Sequence, residues 1–159
     1  MVIGKTSGLF GLPMVGAAEL CGAPVPVMEA LQAAATYLGV LFQVQDDVLD
    51  LYGDKGRGAH GNDILEGKRS ALVVHALQHA PAEQASWLLE LLDRDRDATS
   101  AEEVAEAIRV LQRLGALDFA LDEIHRRREL AEEHHALARH PALLTLVRGL
   151  GDLFLRPIQ

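Results

Sequence analysis

The chain has 159 residues, enough for one domain with a buried core. Its residues are 49% hydrophobic but only 4% aromatic, and the many Ala and Leu residues lose little entropy in helices, so the composition predicts an all-α fold. The 15 basic and 23 acidic residues give a formal net charge of −8. This charge argues against nucleic-acid binding, which needs clustered Lys and Arg.

Hydrophobic residues recur with helical periodicity along the chain, and Pro and Gly punctuate the pattern. Pro13 lies inside the first predicted helix and weakens that prediction. We find no internal repeat or linker and expect a single domain over residues 1–159. In chain order, the predicted helices span residues 5–20, 27–52, 64–80, 82–92, 104–114, 117–139 and 141–155.

Two predicted loops separate these helices. The first, residues 53–62, is rich in glycine. The second, residues 93–97, alternates acidic and basic side chains, and we expect it to be solvated surface. Thr99 and Ser100 precede Glu102 and Glu103 by three residues each, which makes two overlapping capping-box patterns before the next helix.

Three features bear on localisation. The chain does not open with a basic segment followed by an apolar stretch of signal-peptide length. The longest apolar stretch, residues 31–44, contains Gln32, Thr36 and Gln43, and we expect no transmembrane segment. The single cysteine, Cys21, rules out an internal disulfide, and we expect it to be a small core residue. Cytoplasm is therefore the expected compartment.

The second predicted helix carries the most informative polar residues. Gln43, Asp46, Asp47 and Asp50 fall at positions i, i+3, i+4 and i+7, so a helix places them in one stripe. Apolar residues flank the stripe on both sides, which favours a buried helix whose carboxylates face a cavity. The alternative is a solvated acidic patch, as on many surface helices.

Buried carboxylates need a compensating cation, because burying ionised groups unpaired costs several kcal/mol per group, roughly. Hard oxygen ligands suit Mg²⁺, which typically bridges one or two carboxylates to substrate phosphates. Basic residues elsewhere in the chain could hold the remaining phosphate oxygens. The candidates are Lys5, Arg57, Lys68 and Arg69.

These residues carry a family resemblance. The segment from Phe42 to Asp50, Phe-Gln-Val-Gln-Asp-Asp-Val-Leu-Asp, resembles the second aspartate-rich motif of trans-isoprenyl diphosphate synthases. Further ordered matches cover most of the chain. They are the Lys-Thr motif at residues 5–10, its continuation at 16–20, the flexible loop at 53–57, the Asp–Gly–Lys–Ser element at 63–70 and the Gly-Ala pair at 115–116.

The resemblance implies half of an isoprenoid-synthase-type fold, an antiparallel helical bundle, and three groups of site residues. Position 57 is Arg where the family usually has Lys, which changes the geometry available to a phosphate. The implied magnesium ligands are Asp46, Asp47 and Asp50, with Asp46 preferred as the direct ligand. The implied diphosphate ligands are Lys5, Arg57 and Lys68, and the implied catalytic residues are Lys5, Thr6 and Gln43.

The implied activity is magnesium-dependent condensation of isopentenyl diphosphate with an allylic diphosphate. Family members are longer than this chain and carry a first aspartate-rich motif in their N-terminal half, so the resemblance places this chain in the C-terminal half. We expect a half-subunit, inactive alone, that is completed by a partner chain or by a second copy. The alternatives are a non-catalytic regulatory subunit of a full-length synthase and a fragment of a longer polypeptide.

A second candidate site is weaker. His75 and His79 are four residues apart on a predicted helix, which is a spacing found in zinc sites. No acidic residue adjoins His75, and the sequence offers no obvious third ligand. We expect both histidines to be structural or exposed.

Overall fold

The computed structural model describes residues 2–53 and 60–155, and describes side chains from Thr6 onward. Within these ranges the chain forms helices and no strand, which confirms the all-α class. The helices are α1 (Val2–Leu20), α2 (Val25–Tyr52), α3 (Asn62–Leu65), α4 (Ala71–His79), α5 (Ala82–Leu92), a 3-10 helix (Arg96–Ala98), α6 (Ala101–Arg113), α7 (Ala116–Glu132), α8 (His135–Ala138) and α9 (Pro141–Leu155).

The chain divides into two compact units. The first unit comprises residues 1–45 and 123–159, and the second comprises residues 46–122. The divisions fall inside α2 and α7, so each of these helices contributes to both units. The single-domain organisation expected for residues 1–159 stays a prediction.

The first unit is built on α1, the N-terminal part of α2, the C-terminal part of α7, α8 and α9. Phe10, Phe42 and Phe154 come from three different helices and form an aromatic cluster, with ring centroids 5.1–5.8 Å apart. Edge-to-face contacts of this kind add to the gain from burying the rings. The buried core residues of this unit include Ala30, Leu31, Ala34, Leu38, Leu41, Ile124, Leu137, Val147 and Leu155.

The second unit is built around α4, which packs against α5 and α6, while α3 packs against α6. Ser100 and Glu103 form the predicted capping box at the start of α6. The overlapping pattern at Thr99 is not used, since Thr99 ends the 3-10 helix instead. The buried core residues here include Ile64, Leu72, Leu88, Leu91, Val110 and Leu111.

The helix predicted for residues 64–80 is wrong as a single element. Its first part is the single turn α3, and α4 begins only at Ala71. Between them Gly67 has φ 64°, and a Cβ there would lie 2.3 Å from the carbonyl oxygen of Leu92. The chain therefore turns at Gly67, and Ser70 starts the next helix by accepting a hydrogen bond from the backbone N–H of Val73.

The helix predicted for residues 117–139 is also interrupted. α7 ends at Glu132, and His134 is extended, with its Nδ1 accepting the N–H of Ala136 at the start of the short helix α8. This side-chain cap competes with helix continuation, as short polar side chains do elsewhere. Cys21 is a further correction, because it lies exposed in the turn after α1 rather than in the core.

Helix α2 extends well beyond the apolar stretch 31–44, as the predicted helix 27–52 does. Its 28 residues include a window with mean hydropathy 1.4, so by length and composition this helix could cross a membrane. The buried share of that window is 44%. A single helix of this kind is weak evidence for a membrane span, because core helices pass the same test. The cytoplasmic localisation stays a prediction.

Candidate diphosphate and metal site

The aspartates of α2 lie on a largely buried part of the helix, as the polar stripe predicted. Asp47 is 3% exposed and Asp50 is 8% exposed, while Asp46 is half-buried. Four apolar residues beside them are buried and lie along one flank of the stripe. They are Leu41, Val44, Val48 and Leu51.

Lys68 supplies the cation that the buried carboxylates need. Its Nζ donates to Asp47 Oδ1 at 2.7 Å and to Asp63 Oδ2 at 2.5 Å. Burial alone would lower the pKa of Lys68, but the hydrogen bonds and charges of Asp47 and Asp63 more than offset it and raise that pKa above its usual value. Lys68 therefore stays protonated at neutral pH, and one of its three donors remains for a further acceptor.

Asp50 is held by the backbone that follows the glycine-rich loop. The backbone N–H of Asp63 donates to Asp50 Oδ2 at 2.9 Å, and the N–H of Gly61 donates to the Asp50 carbonyl at 2.9 Å. Asp63 thus touches two members of the site, through its N–H and through its carboxylate. The sequence prediction did not include Asp63 among the site residues, although it opens the motif-like segment 63–70.

The other predicted residues of α1 and α2 meet in the first unit. The hydroxyl of Thr6 lies 3.5 Å from Gln43 Oε1 and is its donor. The two helices approach closely at this level, since a Cβ on Gly39 would lie 2.5 Å from the hydroxyl oxygen of Ser7. Ser7 is buried and donates to the carbonyl of Thr36 at 3.2 Å. Close helix packing therefore sets the position of the Thr6–Gln43 pair.

Among the predicted cations whose side chains the structure describes, Arg69 is not part of this cluster. The side chain of Lys5 and the whole of Arg57 lie outside the described residues. Instead of meeting the aspartates of α2, the Arg69 guanidinium pairs with Asp93 at 2.5 Å and donates to the Gly67 carbonyl at 2.7 Å. Of the four predicted cations, Lys68 is the one that the described structure brings to the carboxylates.

The metal-binding capacity of the site follows from its donors. In the described residues, no three His, Cys, Asp or Glu side chains are grouped as a ready-made metal cage. Magnesium is seldom held by such a cage and typically takes one or two carboxylates together with substrate phosphates and waters. Asp46, the most exposed of the three aspartates, fits that mode.

The two histidines of α4 make packing contacts. The ring of His75 stacks on Phe119 at 4.4 Å and on His79 at 4.2 Å. Its Nε2 lies 3.2 Å from the Leu114 carbonyl, and His79 Nδ1 lies 2.8 Å from the His75 carbonyl. These contacts support the structural interpretation of both residues.

The family of the chain is shown by comparison with known proteins. Residues 1–111 match the family model for polyprenyl synthetase. The chain belongs to the polyprenyl synthetase family. A curated relative, the all-trans-nonaprenyl-diphosphate synthase (geranyl-diphosphate specific) of Rhodobacter capsulatus, is 32% identical over 155 residues, which are 93% of this chain and 46% of the relative.

Solved structures agree with this assignment. A geranylgeranyl pyrophosphate synthase from Corynebacterium glutamicum, complexed with calcium and isoprenyl diphosphate, superimposes with a TM-score of 0.80 at 25% identity. The match covers 98% of this chain and 48% of that chain. Its complex with isoprenyl diphosphate and magnesium matches with a TM-score of 0.73 at 26% identity, over 86% of this chain and 39% of that chain.

These matches confirm the predicted family and the isoprenoid-synthase-type all-α fold. They also show that the chain spans about half the length of the relatives it matches, since the shared segment is 46% of the Rhodobacter synthase. Which half of the relatives it corresponds to stays a prediction, as do the individual roles of the site residues.

Proposed function

We propose that this chain provides the diphosphate-binding and magnesium-binding part of a trans-prenyltransferase that condenses isopentenyl diphosphate with an allylic diphosphate. The observation that carries the proposal is the Lys68 cluster, in which one cation bridges Asp47 and Asp63 beside the half-buried Asp46. Such an arrangement presents a fixed positive charge next to a carboxylate of the kind that binds magnesium. Membership of the polyprenyl synthetase family supports the assignment.

Lys68 would bind the diphosphate of the allylic substrate. Two of its donors are directed at carboxylates, and this fixes the ammonium so that its third donor can reach a phosphate oxygen. In the proposed reaction the bond between the allylic carbon and the diphosphate oxygen breaks, and its electrons leave with the diphosphate. A preorganised cation stabilises the charge that grows there without having to reorganise during the reaction.

Asp46 would hold the magnesium ion together with phosphate oxygens, and Asp47 and Asp50 would act with it as the predicted ligand set. When bound, magnesium would neutralise part of the charge on the departing diphosphate. The described donors fit this ion, because hard carboxylate oxygens on a largely buried helix segment suit magnesium. Arg57 and Lys5 are the further diphosphate ligands of the proposal.

Thr6 and Gln43 would face the reacting carbons. The double bond of isopentenyl diphosphate attacks the allylic carbon, and the resulting cation loses a proton to give the longer allylic diphosphate. The Thr6 hydroxyl donates to Gln43 Oε1 and thereby orients the amide. The amide dipole of Gln43 can then stabilise positive charge on the carbon chain, which is the catalytic role proposed for this pair with Lys5.

Turnover is further proposed to need a second polypeptide, either a chain with a first aspartate-rich motif or a second copy. The exposed apolar residues of the first unit support this. On α1, Leu9, Leu12 and Leu20 are 70%, 80% and 91% exposed. Large exposed apolar patches mark interaction sites more often than free surface.

The test is capture of the tagged full chain from its own host, followed by assay with isopentenyl and allylic diphosphates. The eluate should make a longer prenyl diphosphate with magnesium and none after chelation. Asp46→Asn should lower turnover by about 10²-fold or more, the range seen when one stabiliser of developing charge is removed. Asp118→Ala, on the exposed face of α7, is the matched control and should leave turnover unchanged.

Two outcomes would contradict the half-enzyme. One is the absence of turnover with every captured partner. The other is full activity of an Asp46→Asn complex with a complete synthase, which would establish the non-catalytic regulatory subunit instead. A purely structural subunit has no use for the complete set of predicted site residues, the three aspartates together with Lys5, Thr6, Gln43 and Lys68.

A further inference from the structure

The segment from Gly61 to Arg69 brings to α2 the groups that organise its aspartates. The Asp63 N–H binds the Asp50 carboxylate at 2.9 Å. The Lys68 ammonium binds Asp47 and is itself held by the Asp63 carboxylate. The conformation of this segment therefore determines the geometry of the proposed diphosphate site.

The segment cannot maintain its own conformation. Its regular part, α3, is a single turn of four residues, and its N-cap Gly61 offers no side-chain hydrogen bond. An isolated helix this short is unstable in water because nucleation is unfavourable. Tertiary contacts must hold it.

Besides the contacts with α2, residues 92–108 provide contacts of this kind. A Cβ on Gly61 would lie 2.5 Å from Val104, so the backbone there lies directly on α6. The turn at Gly67 is packed equally closely on the Leu92 carbonyl. The guanidinium of Arg96 adds polar contacts to this packing. Arg96 belongs to the charged segment 93–97, which we expected to be solvated surface.

Arg96 contacts the segment on both sides of Asp63. Its Nη2 donates to Asn62 Oδ1 at 2.9 Å, and its Nη1 lies 3.5 Å from Glu66 Oε1. A planar guanidinium can hold two acceptors in fixed relative positions, which a lysine ammonium does less well. The two contacted residues flank the turn that carries the Asp63 N–H and carboxylate.

We propose that Arg96 is a positioning residue for the diphosphate site, holding the turn Asn62–Glu66 so that Asp63 stays bound to Asp50 and Lys68. The inference rests on the proposed function for its catalytic meaning, but the positioning itself concerns only contacts within the second unit. Arg96 touches neither substrate nor metal in this scheme. Because it is exposed, its effect should be modest and should weaken with salt.

The test compares Arg96→Ala, Arg96→Lys and Arg94→Ala in the full chain. Arg94 is a matched control, since it lies in the same charged segment but pairs with Glu103 and not with a residue of the turn Asn62–Glu66. Hydrogen exchange of the Asp63 amide should become about two- to fivefold faster in Arg96→Ala, remain unchanged in Arg94→Ala and be intermediate in Arg96→Lys. Exchange of the buried Leu88 amide should not change, which separates local from global opening.

A second measurement is calorimetric binding of inorganic pyrophosphate in the presence of magnesium. Its affinity should fall by the same two- to fivefold in Arg96→Ala, recover partly in Arg96→Lys and stay unchanged in Arg94→Ala. Unchanged Asp63 exchange in Arg96→Ala, or equal changes in Arg96→Ala and Arg94→Ala, would overturn the positioning role. Wild-type protein that does not bind pyrophosphate would instead overturn the proposed function, and the exchange result would still decide the role of Arg96.

Discussion

The two units stabilise their polar site residues in different ways. In the first unit the Thr6–Gln43 pair is neutral, and close packing of α1 on α2 together with the Phe10–Phe42–Phe154 cluster sets its position. In the second unit the site residues are charged, and an ion-pair cluster around Lys68 holds them. Neutral groups need only a close helix contact, whereas buried carboxylates require a cation delivered by another segment.

The largest effect should come from removing the aromatic contact in the first unit. Phe154→Ala should lower the free energy of unfolding by about 3–4 kcal/mol, because it deletes a buried ring and leaves a cavity. Urea titration followed by far-UV circular dichroism measures this. Leu153→Ala, at the exposed neighbouring position, should cost less than about 1 kcal/mol. Equal losses in the two variants would show that packing of Phe154 does not stabilise the first unit.

Substitution in the turn at Gly67, which positions Lys68, should cause the next largest loss of stability. Gly67→Ala should cost about 2–4 kcal/mol, since the left-handed φ is unfavourable for Ala and the added Cβ clashes with the Leu92 carbonyl. Gly115→Ala is a matched control, because its φ is 72° but nothing lies within 4 Å of the added Cβ. It should cost only about 1–2 kcal/mol.

Fluorescence of Trp87, the single tryptophan, reports on the second unit and suits this comparison. If Gly67→Ala and Gly115→Ala lose the same stability, the clash with Leu92 is relieved at no cost, and the turn is less constrained than its geometry indicates.

Replacing Lys68 tests how much the ion-pair cluster stabilises the second unit. Lys68→Met leaves Asp47 buried without this partner and should cost about 1–3 kcal/mol, a value discounted because the Lys68 side chain is 35% exposed. The raised pKa of Lys68 means that its contribution is complete below its usual value of 10.5 and is lost only as pH rises through the higher folded-state value. The difference from wild type should thus stay constant between about pH 7 and 9.

The control for this variant is Arg113→Met, which removes an exposed partner of Glu106 and should change stability by less than about 0.5 kcal/mol. A loss in Lys68→Met no larger than in this control would mean that Asp47 finds another partner at no cost. The Phe154→Ala loss should be insensitive to added salt, whereas part of the Lys68→Met loss should be screened.

The smallest effect concerns the start of α6, on which the turn at Gly61 packs. Ser100→Ala should cost about 1 kcal/mol by removing the N-cap. The backbone N–H of Ser100, then the Arg94 guanidinium, lower the pKa of Glu103 below its usual 4.5. Its stabilising contribution is therefore present above pH 4.5 and is lost as the pH falls through the folded-state value.

Acid titrations of wild type and Glu103→Gln, followed by Trp87 fluorescence, check this dependence. Wild type should lose stability relative to Glu103→Gln as the pH falls below 4.5. Parallel titration curves for wild type and Glu103→Gln would show that the stability contributed by the capping box does not depend on pH. Asp122→Asn, on the exposed face of α7, controls for the loss of one negative charge.

Much of the fold could be predicted from local patterns. The break after Leu20, the helix 82–92 and the start of α9 at Pro141 follow from Pro and Gly signals that act within a few residues. The predictions for 64–80 and 117–139 failed because each contains a turn that hydrophobic periodicity does not reveal. At Gly67 the chain turns to fit against Leu92, which is distant in sequence.

By itself the sequence determined the helical class, the family resemblance and the stripe of carboxylates on α2, because the helical repeat alone places Gln43, Asp46, Asp47 and Asp50 on one face. Only the tertiary structure decided which cation meets these carboxylates, why Arg69 does not, and that Asp63 and Arg96 take part. These choices depend on contacts between residues 13 to 34 positions apart. Spacing along one helix cannot specify such contacts, because the packing of separate segments creates them.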